Sequence, residues 1–420
     1  MNGQILLLIR RLALMVSGEA LQSGFHFALN IYLLHVLSAR DYGIFAISMV
    51  MGGVGVAYIR SLTAVPASIW IARSTTRRQA DAYDVAFGSG ALLLSLLFAL
   101  VAGALLKIWG ADGAIFGGAF VALWALRSHL RTASFARKRQ WIVSCSDLSF
   151  TILGCAMTAL IVLRAENVLR GIFEGLTLAN GVGILLLLVL PRTRLRVSLR
   201  RTVRQRYMRL WPQLRWTVFY VSTSLLQGQA IGLLVTGMAG PAAYAPIAAV
   251  ITLFAPLRIV ATAFDNMMQP EISASIGRGE YRKVWNHALV WSGLLSLGCL
   301  VYGGLVFFLA PYIKSETFLD ASIQTIGISA WLISILLIAY SMPRIVLETM
   351  SAFWTLAIIN LVAAVIGLVC IATLLALTTP ALSLAGAVVS EAVFFGLCWM
   401  TVKRRLIGRQ QRYVEARAME

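Results

Sequence analysis

The chain has 420 residues, of which 59% are hydrophobic and only 13% charged, with a mean hydropathy of +0.82 and a formal net charge of +19. Soluble domains carry about 25% charged residues, so this composition excludes a water-soluble globule, a disordered chain and a disulfide scaffold. The length is several times what one anchor helix needs, which leaves an all-α polytopic membrane protein.

In chain order, a short apolar run (Ile5 to Ile9) precedes Arg10 and Arg11, with no small-residue cleavage site before the long apolar stretch. It reads as an uncleaved first span rather than a signal peptide. Twelve spans are predicted, at 12–36, 43–71, 85–109, 114–136, 142–163, 168–190, 216–238, 245–270, 286–310, 321–343, 354–378 and 382–402. With the N-terminus placed in the cytoplasm, 29 of the 36 Lys and Arg fall on that side. Five fall opposite: Arg40, Lys107, Arg164, Arg170 and Lys314. The positive-inside bias therefore predicts cytoplasmic N- and C-termini.

Span 1 carries Glu19, Gln22, His26 and Asn30 at spacings that share one helix face. Lipid does not tolerate such a face, so it lines a cavity or a helix interface. Glu19 and His26 are candidates for carrying a coupled proton, with interhelical hydrogen bonding as the plainer role. Arg60 falls within span 2 and Arg258 within span 8, at equivalent mid-span places of the two halves. A charge in a transmembrane helix costs about 2.5–3.5 kcal/mol on insertion scales, so each needs a reason. Two guanidinium groups facing one cavity suit a diphosphate or carboxylate, because they bind such groups bidentately at any relevant pH. The plainer role is a salt bridge, with Asp147, Asp265 or Glu391 as partners. Arg127 and Arg131, four residues apart near the expected cytoplasmic end of span 4, are read as guides for an anionic headgroup or as snorkelling side chains.

Between Arg192 and Arg215 the chain holds nine Arg and no acid, with Leu199, Val203, Tyr207, Leu210 and Trp211 at helical spacing. This predicts either an amphipathic helix on the cytoplasmic face, basic side toward anionic headgroups, or a plain link. It divides the chain into an N-terminal six-helix bundle (1–190), the basic linker (191–215), a C-terminal six-helix bundle (216–402) and a cytoplasmic tail (403–420). Six spans per half predict a pseudo-two-fold along the membrane normal. A weak echo agrees: Leu21-Gln22 with Leu226-Gln227, Tyr42 with Tyr244, and Pro66 with Pro270.

Chemistry-bearing motifs are lacking. The five cysteines lie in apolar runs without a CxxC pair, there are four histidines, and no phosphate loop, HExxH, GxSxG or Asp-rich motif occurs. No catalytic residue, metal or cofactor is predicted. Nucleic acid is not an expected partner, because topology accounts for every basic cluster.

The stretch Leu37-Ser38-Ala39-Arg40-Asp41-Tyr42-Gly43-Ile44-Phe45 resembles the signature of bacterial polysaccharide flippases. Those belong to the multidrug/oligosaccharidyl-lipid/polysaccharide exporter superfamily. Gln269-Pro270-Glu271-Ile272 followed by Ile276-Gly277-Arg278-Gly279-Glu280-Tyr281 is similar to the family's run after the eighth span. The resemblance implies two six-helix bundles alternating between inward-open and outward-open. It implies a non-enzymatic Wzx-type flippase in the bacterial inner membrane, moving an undecaprenyl-diphosphate-linked oligosaccharide outward for O-antigen or exopolysaccharide synthesis. Its expected partners are the lipid-linked oligosaccharide, membrane lipids, and a polysaccharide polymerase with its export machinery. The competing reading within the same fold is a cation or drug antiporter using Glu19, Asp147, Asp265 or Glu391. A membrane-embedded glycan transferase or polymerase is the reading from a different class.

Overall fold

The computed structural model describes residues 21–73, 76–137, 139–164, 167–190, 200–257, 278–309, 323–350 and 352–419, with Gly18, Ser198 and seven positions between 260 and 276. Among the described residues all regular structure is helical. Residues 21–36 form α1, followed by α2 (Ala39–Ile59), a π-helical turn (Arg60–Ala64) and α3 (Val65–Arg73). Then come α4 (Arg77–Ile108), α5 (Ala114–Ala136), α6 (Gln140–Arg164) and α7 (Val168–Val189). The remainder comprises α8 (Arg201–Ala239), α9 (Pro241–Leu253), α10 (Tyr281–Leu309) and α11 (Ile323–Ala339). It ends with α12 (Ser341–Thr349), α13 (Phe353–Leu377) and α14 (Pro380–Met419).

Nine described helices are long and apolar enough to cross a bilayer, and α9 is a shorter apolar helix. They coincide with predicted spans because the same arithmetic governs both: about 20 apolar residues cover about 30 Å. Predicted span 4 is α5, which four buried polar side chains (Arg127, His129, Arg131 and Ser134) make less apolar than its neighbours. The C-terminal half of predicted span 8 lies outside the described residues.

Three boundaries differ from expectation. The basic linker is not a separate surface helix, since Arg201–Arg215 opens α8 and runs without a break into the span Leu214–Ala239. Arg344, expected in a loop, lies within the apolar segment Ile323–Thr349, with Nε 3.7 Å from Glu348 Oε1 one turn on. The tail expected from 403 continues α14 as helix to Met419.

Two compact units result: Met1–Val221 with Gly240–Ala242, and Ser222–Ala239 with Ala243–Glu420. The change of unit at Val221 falls later than the predicted linker, because Leu210 and Leu214 are buried against Leu62, Ala67, Ile71 and Phe87 of the first unit. In that unit α5 packs against α2, α4 and α7, and α6 against α7. In the second, α13 and α11 pack on α14. There the Ser390 hydroxyl donates to the Ala363 carbonyl at 2.9 Å, across a seam kept close by Gly367.

The flippase-like motif 37–45 has a structural reading. Ser38 caps α2: its Oγ accepts from the Asp41 amide at 3.1 Å and donates to the Asp41 carboxylate at 2.9 Å. Arg40 donates to the Trp109 carbonyl at 3.0 Å, closing the C-terminus of α4. A Cβ at Gly43 would collide with the Pro241 carbonyl, so glycine is needed for that approach.

Candidate functional site

The predicted site residues separate into three groups, while Glu19, Arg258 and Asp265 lie outside the described residues.

The first group is a buried charge triad in the first unit. Asp147 on α6 accepts from Arg127 Nη2 at 2.7 Å through Oδ1 and from Arg131 Nη2 at 2.8 Å through Oδ2. Both arginines project from α5 one helical turn apart, so a single carboxylate meets both. Arg127 and Asp147 are each 1% exposed. The Arg127 guanidinium lies 4.2 Å from the centroid of the Phe150 ring, and its Nε is 3.4 Å from Ser146 Oγ. Two glycines make the room. A Cβ at Gly183 would sit 2.8 Å from Arg127 Nε, and one at Gly18 would sit 2.7 Å from Asp147 Oδ2. Arg127 is therefore not snorkelling, and Asp147, one of three acids offered as a partner for Arg60 or Arg258, pairs with Arg127 and Arg131 instead. Removing one member of a buried pair leaves an uncompensated charge, at about 3–5 kcal/mol.

The polar stripe of α1 faces the same interior. The His26 ring packs 5.1 Å from Trp124 and 5.7 Å from Phe150, and neither of its nitrogens has a hydrogen-bond partner among the described residues. Gln22 is buried, whereas Asn30 turns back to donate to its own helix at the His26 carbonyl, at 2.8 Å. The stripe meets α5 and α6 at a helix interface, one of its two predicted settings.

The second group centres on Glu391, which is buried in the second unit and shares a side-chain hydrogen bond with Tyr340. It lines a cavity of about 90 Å³ together with Gln227, Ser334 and apolar residues of α8, α9, α11 and α14. Gln227 Nε2 is buried there without a hydrogen-bond partner among the described residues. Such a space holds several water molecules. Sequence reasoning noticed Gln227 only as an echo of Gln22 and missed Tyr340, since which faces of distant helices meet leaves no local signal.

The third group is Arg60 alone. It opens the π-helical turn, is exposed, and its side chain forms no ion pair or hydrogen bond among the described residues. The 21 residues of α2 cover about 30 Å before it, at about 1.5 Å per residue. Arg60 thus lies within the apolar segment Ala39–Ala67. Ser61 and Thr63 turn inward and donate to the Tyr58 and Ile59 carbonyls at 3.0 and 2.7 Å. The guanidinium is thus the outward-facing polar group of that turn. Among the described residues no three His, Cys, Asp or Glu side chains cluster as metal ligands.

No protein-family profile and no curated protein matches the sequence. Solved structures do match its fold. An inward-facing multidrug resistance MATE family transporter of the MOP superfamily aligns over 93% of this chain and 96% of its own, at TM-score 0.66 and 14% identity. This is the MATE fold. The eukaryotic MATE transporter AtDTX14 aligns over 96% of this chain and 98% of its own, at TM-score 0.65 and 15% identity. A MATE in the straight conformation aligns over 96% of both chains, at TM-score 0.60 and 13% identity. The MATE fold has twelve helices in two bundles, the architecture that hydropathy and charge predicted.

Proposed function

We propose that this chain is a multi-pass carrier of the bacterial inner membrane, with both termini cytoplasmic. It moves an undecaprenyl-diphosphate-linked oligosaccharide from the inner to the outer leaflet by alternating access, without catalysing a reaction. One observation carries the anionic cargo: Arg60 sits exposed within the apolar segment Ala39–Ala67 with no protein counter-charge among the described residues. An unpaired guanidinium facing hydrocarbon is costly, whereas one facing a cargo path meets its counter-charge when the diphosphate binds. Arg258 is proposed as the second phosphate ligand, from its equivalent place in the sequence. Arg127 and Arg131, which share the Asp147 carboxylate, act as structural charges instead.

The test is transfer of an undecaprenyl-diphosphate oligosaccharide across reconstituted vesicles. Arg60→Ala should stop transfer while protein yield and detergent melting temperature stay at parental values. Arg60→Lys should rescue poorly, since an ammonium keeps the charge and loses the planar fork. Parental transfer by Arg60→Ala would remove the anionic-cargo reading.

The antiporter reading is favoured by the buried Glu391 at the wall of a mostly apolar cavity that also carries Gln227 and Ser334. It predicts uptake of an organic cation by the same vesicles under a pH gradient, lost in Glu391→Gln and indifferent to Arg60→Ala.

A further inference from the structure

A π-helical turn holds one more residue than an α-turn, and here Pro66 offers no amide to the Leu62 carbonyl, which leaves that carbonyl open to an outside donor. Here the Val65 amide reaches back to the Arg60 carbonyl. The Leu62 carbonyl in the middle of the turn accepts a hydrogen bond from the Tyr207 hydroxyl at 2.9 Å. Tyr207 comes from the opening segment of α8, 145 residues away in sequence. Its ring meets Phe87 edge-on at 5.9 Å, and its neighbours Leu210 and Leu214 are buried on Leu62 and Phe87. Gly90 on α4 stands where the two meet: a Cβ there would lie 3.4 Å from Thr63 Cγ2 and 3.5 Å from Tyr207 Cε2. Burial pushes the Tyr207 phenol up to about 12, so it stays a donor across the physiological range.

We infer that Tyr207 is a positioning residue for Arg60, its hydroxyl holding residues 60–64 in the π register that keeps the guanidinium outward for a diphosphate headgroup. Losing the extra residue of the turn would rotate Arg60 by about 100° relative to α3, because successive helical residues are about 100° apart. The inference rests on the anionic-cargo reading of Arg60.

The test is a double-mutant cycle on the full-length protein in nanodiscs, with undecaprenyl diphosphate as the probe. Arg60→Ala should weaken binding by at least about tenfold, as expected when charged hydrogen bonds to phosphate are lost. Tyr207→Phe, which keeps the packed ring, should weaken it roughly three- to tenfold, the range of one hydrogen bond. The double variant should bind no more weakly than Arg60→Ala alone. Amide hydrogen exchange of residues 62–67, measured in the same samples, should quicken in Tyr207→Phe while the melting temperature holds. Undecaprenol, which has no phosphate, should bind all four proteins alike. Parental binding by Arg60→Ala would overturn both the anionic-cargo reading and this inference. A weakened Arg60→Ala beside an unaffected Tyr207→Phe, or two losses that multiply in the double variant, would overturn the inference alone. So would a Tyr207→Phe effect on undecaprenol.

Discussion

Arg127 with Arg131 and Arg60 with its π-helical turn are two answers to the same problem, a guanidinium on a membrane-spanning helix. On α5 the charge is buried, shared with Asp147, stacked on Phe150 and given space by Gly183. At the end of α2 it is exposed, with no counter-charge among the described residues, on a turn whose other polar side chains bond inward. The first arrangement contains its own carboxylate, and the second has none among the described residues. Removing a group from each should therefore cost different things: stability in the first region, transport in the second.

The largest expected effect is at the triad. Asp147→Asn leaves two buried guanidinium groups without their carboxylate and should destabilise the protein by about 3–5 kcal/mol, read as thermal or denaturant unfolding in detergent. An unfolding curve within experimental error of the parent would remove the distinction between the two regions. Gly183→Ala comes next, since its methyl would crowd Arg127 Nε and Ser146 Oγ at 2.8 and 3.1 Å. Overpacking of that kind costs about 1–3 kcal/mol, and the loss should shrink when Arg127 is already Ala. Arg60→Ala should move stability by less than about 0.5 kcal/mol, as exposed substitutions do, while abolishing transfer. A stability loss at Arg60 matching that at Asp147 would make both regions structural.

The smallest effect belongs to a third setting, the exposed pair of Arg278 Nε and Glu280 Oε1 at 2.9 Å. Arg278 holds the Glu280 carboxyl below its usual range, chiefly through the side-chain hydrogen bond. A depressed carboxyl contributes stability above its unfolded-state pKa and loses it as pH falls through the lower folded value. Glu280→Gln should therefore lower the melting temperature slightly at neutral pH and not at all in strong acid. A larger shift would show that surface pairing weighs more here than exposed ion pairs ordinarily do.

The amino-acid sequence by itself determined the membrane-length helices found among the described residues and their all-α membrane class. Span length and hydropathy are set by bilayer thickness and the need to satisfy backbone groups within each helix, and both are local properties. It also marked Arg60, Arg127, Arg131, Asp147 and Glu391 as groups needing a reason, because charge in an apolar run is visible without a fold. Only tertiary structure decided which of them are already satisfied. Asp147 is 16 and 20 residues from its two arginines, Glu391 lines a cavity with Gln227 from 164 positions earlier, and Tyr207 reaches Leu62 across 145. Helical periodicity says which residues share a face, but not which faces meet. Pro66 marks a break in the ladder, since it offers no amide to the Leu62 carbonyl and crowds it, but nothing in the sequence says which outside group takes that carbonyl up. A hydroxyl from a distant helix and the packing around Gly90 hold the register there, and with it the direction in which Arg60 points.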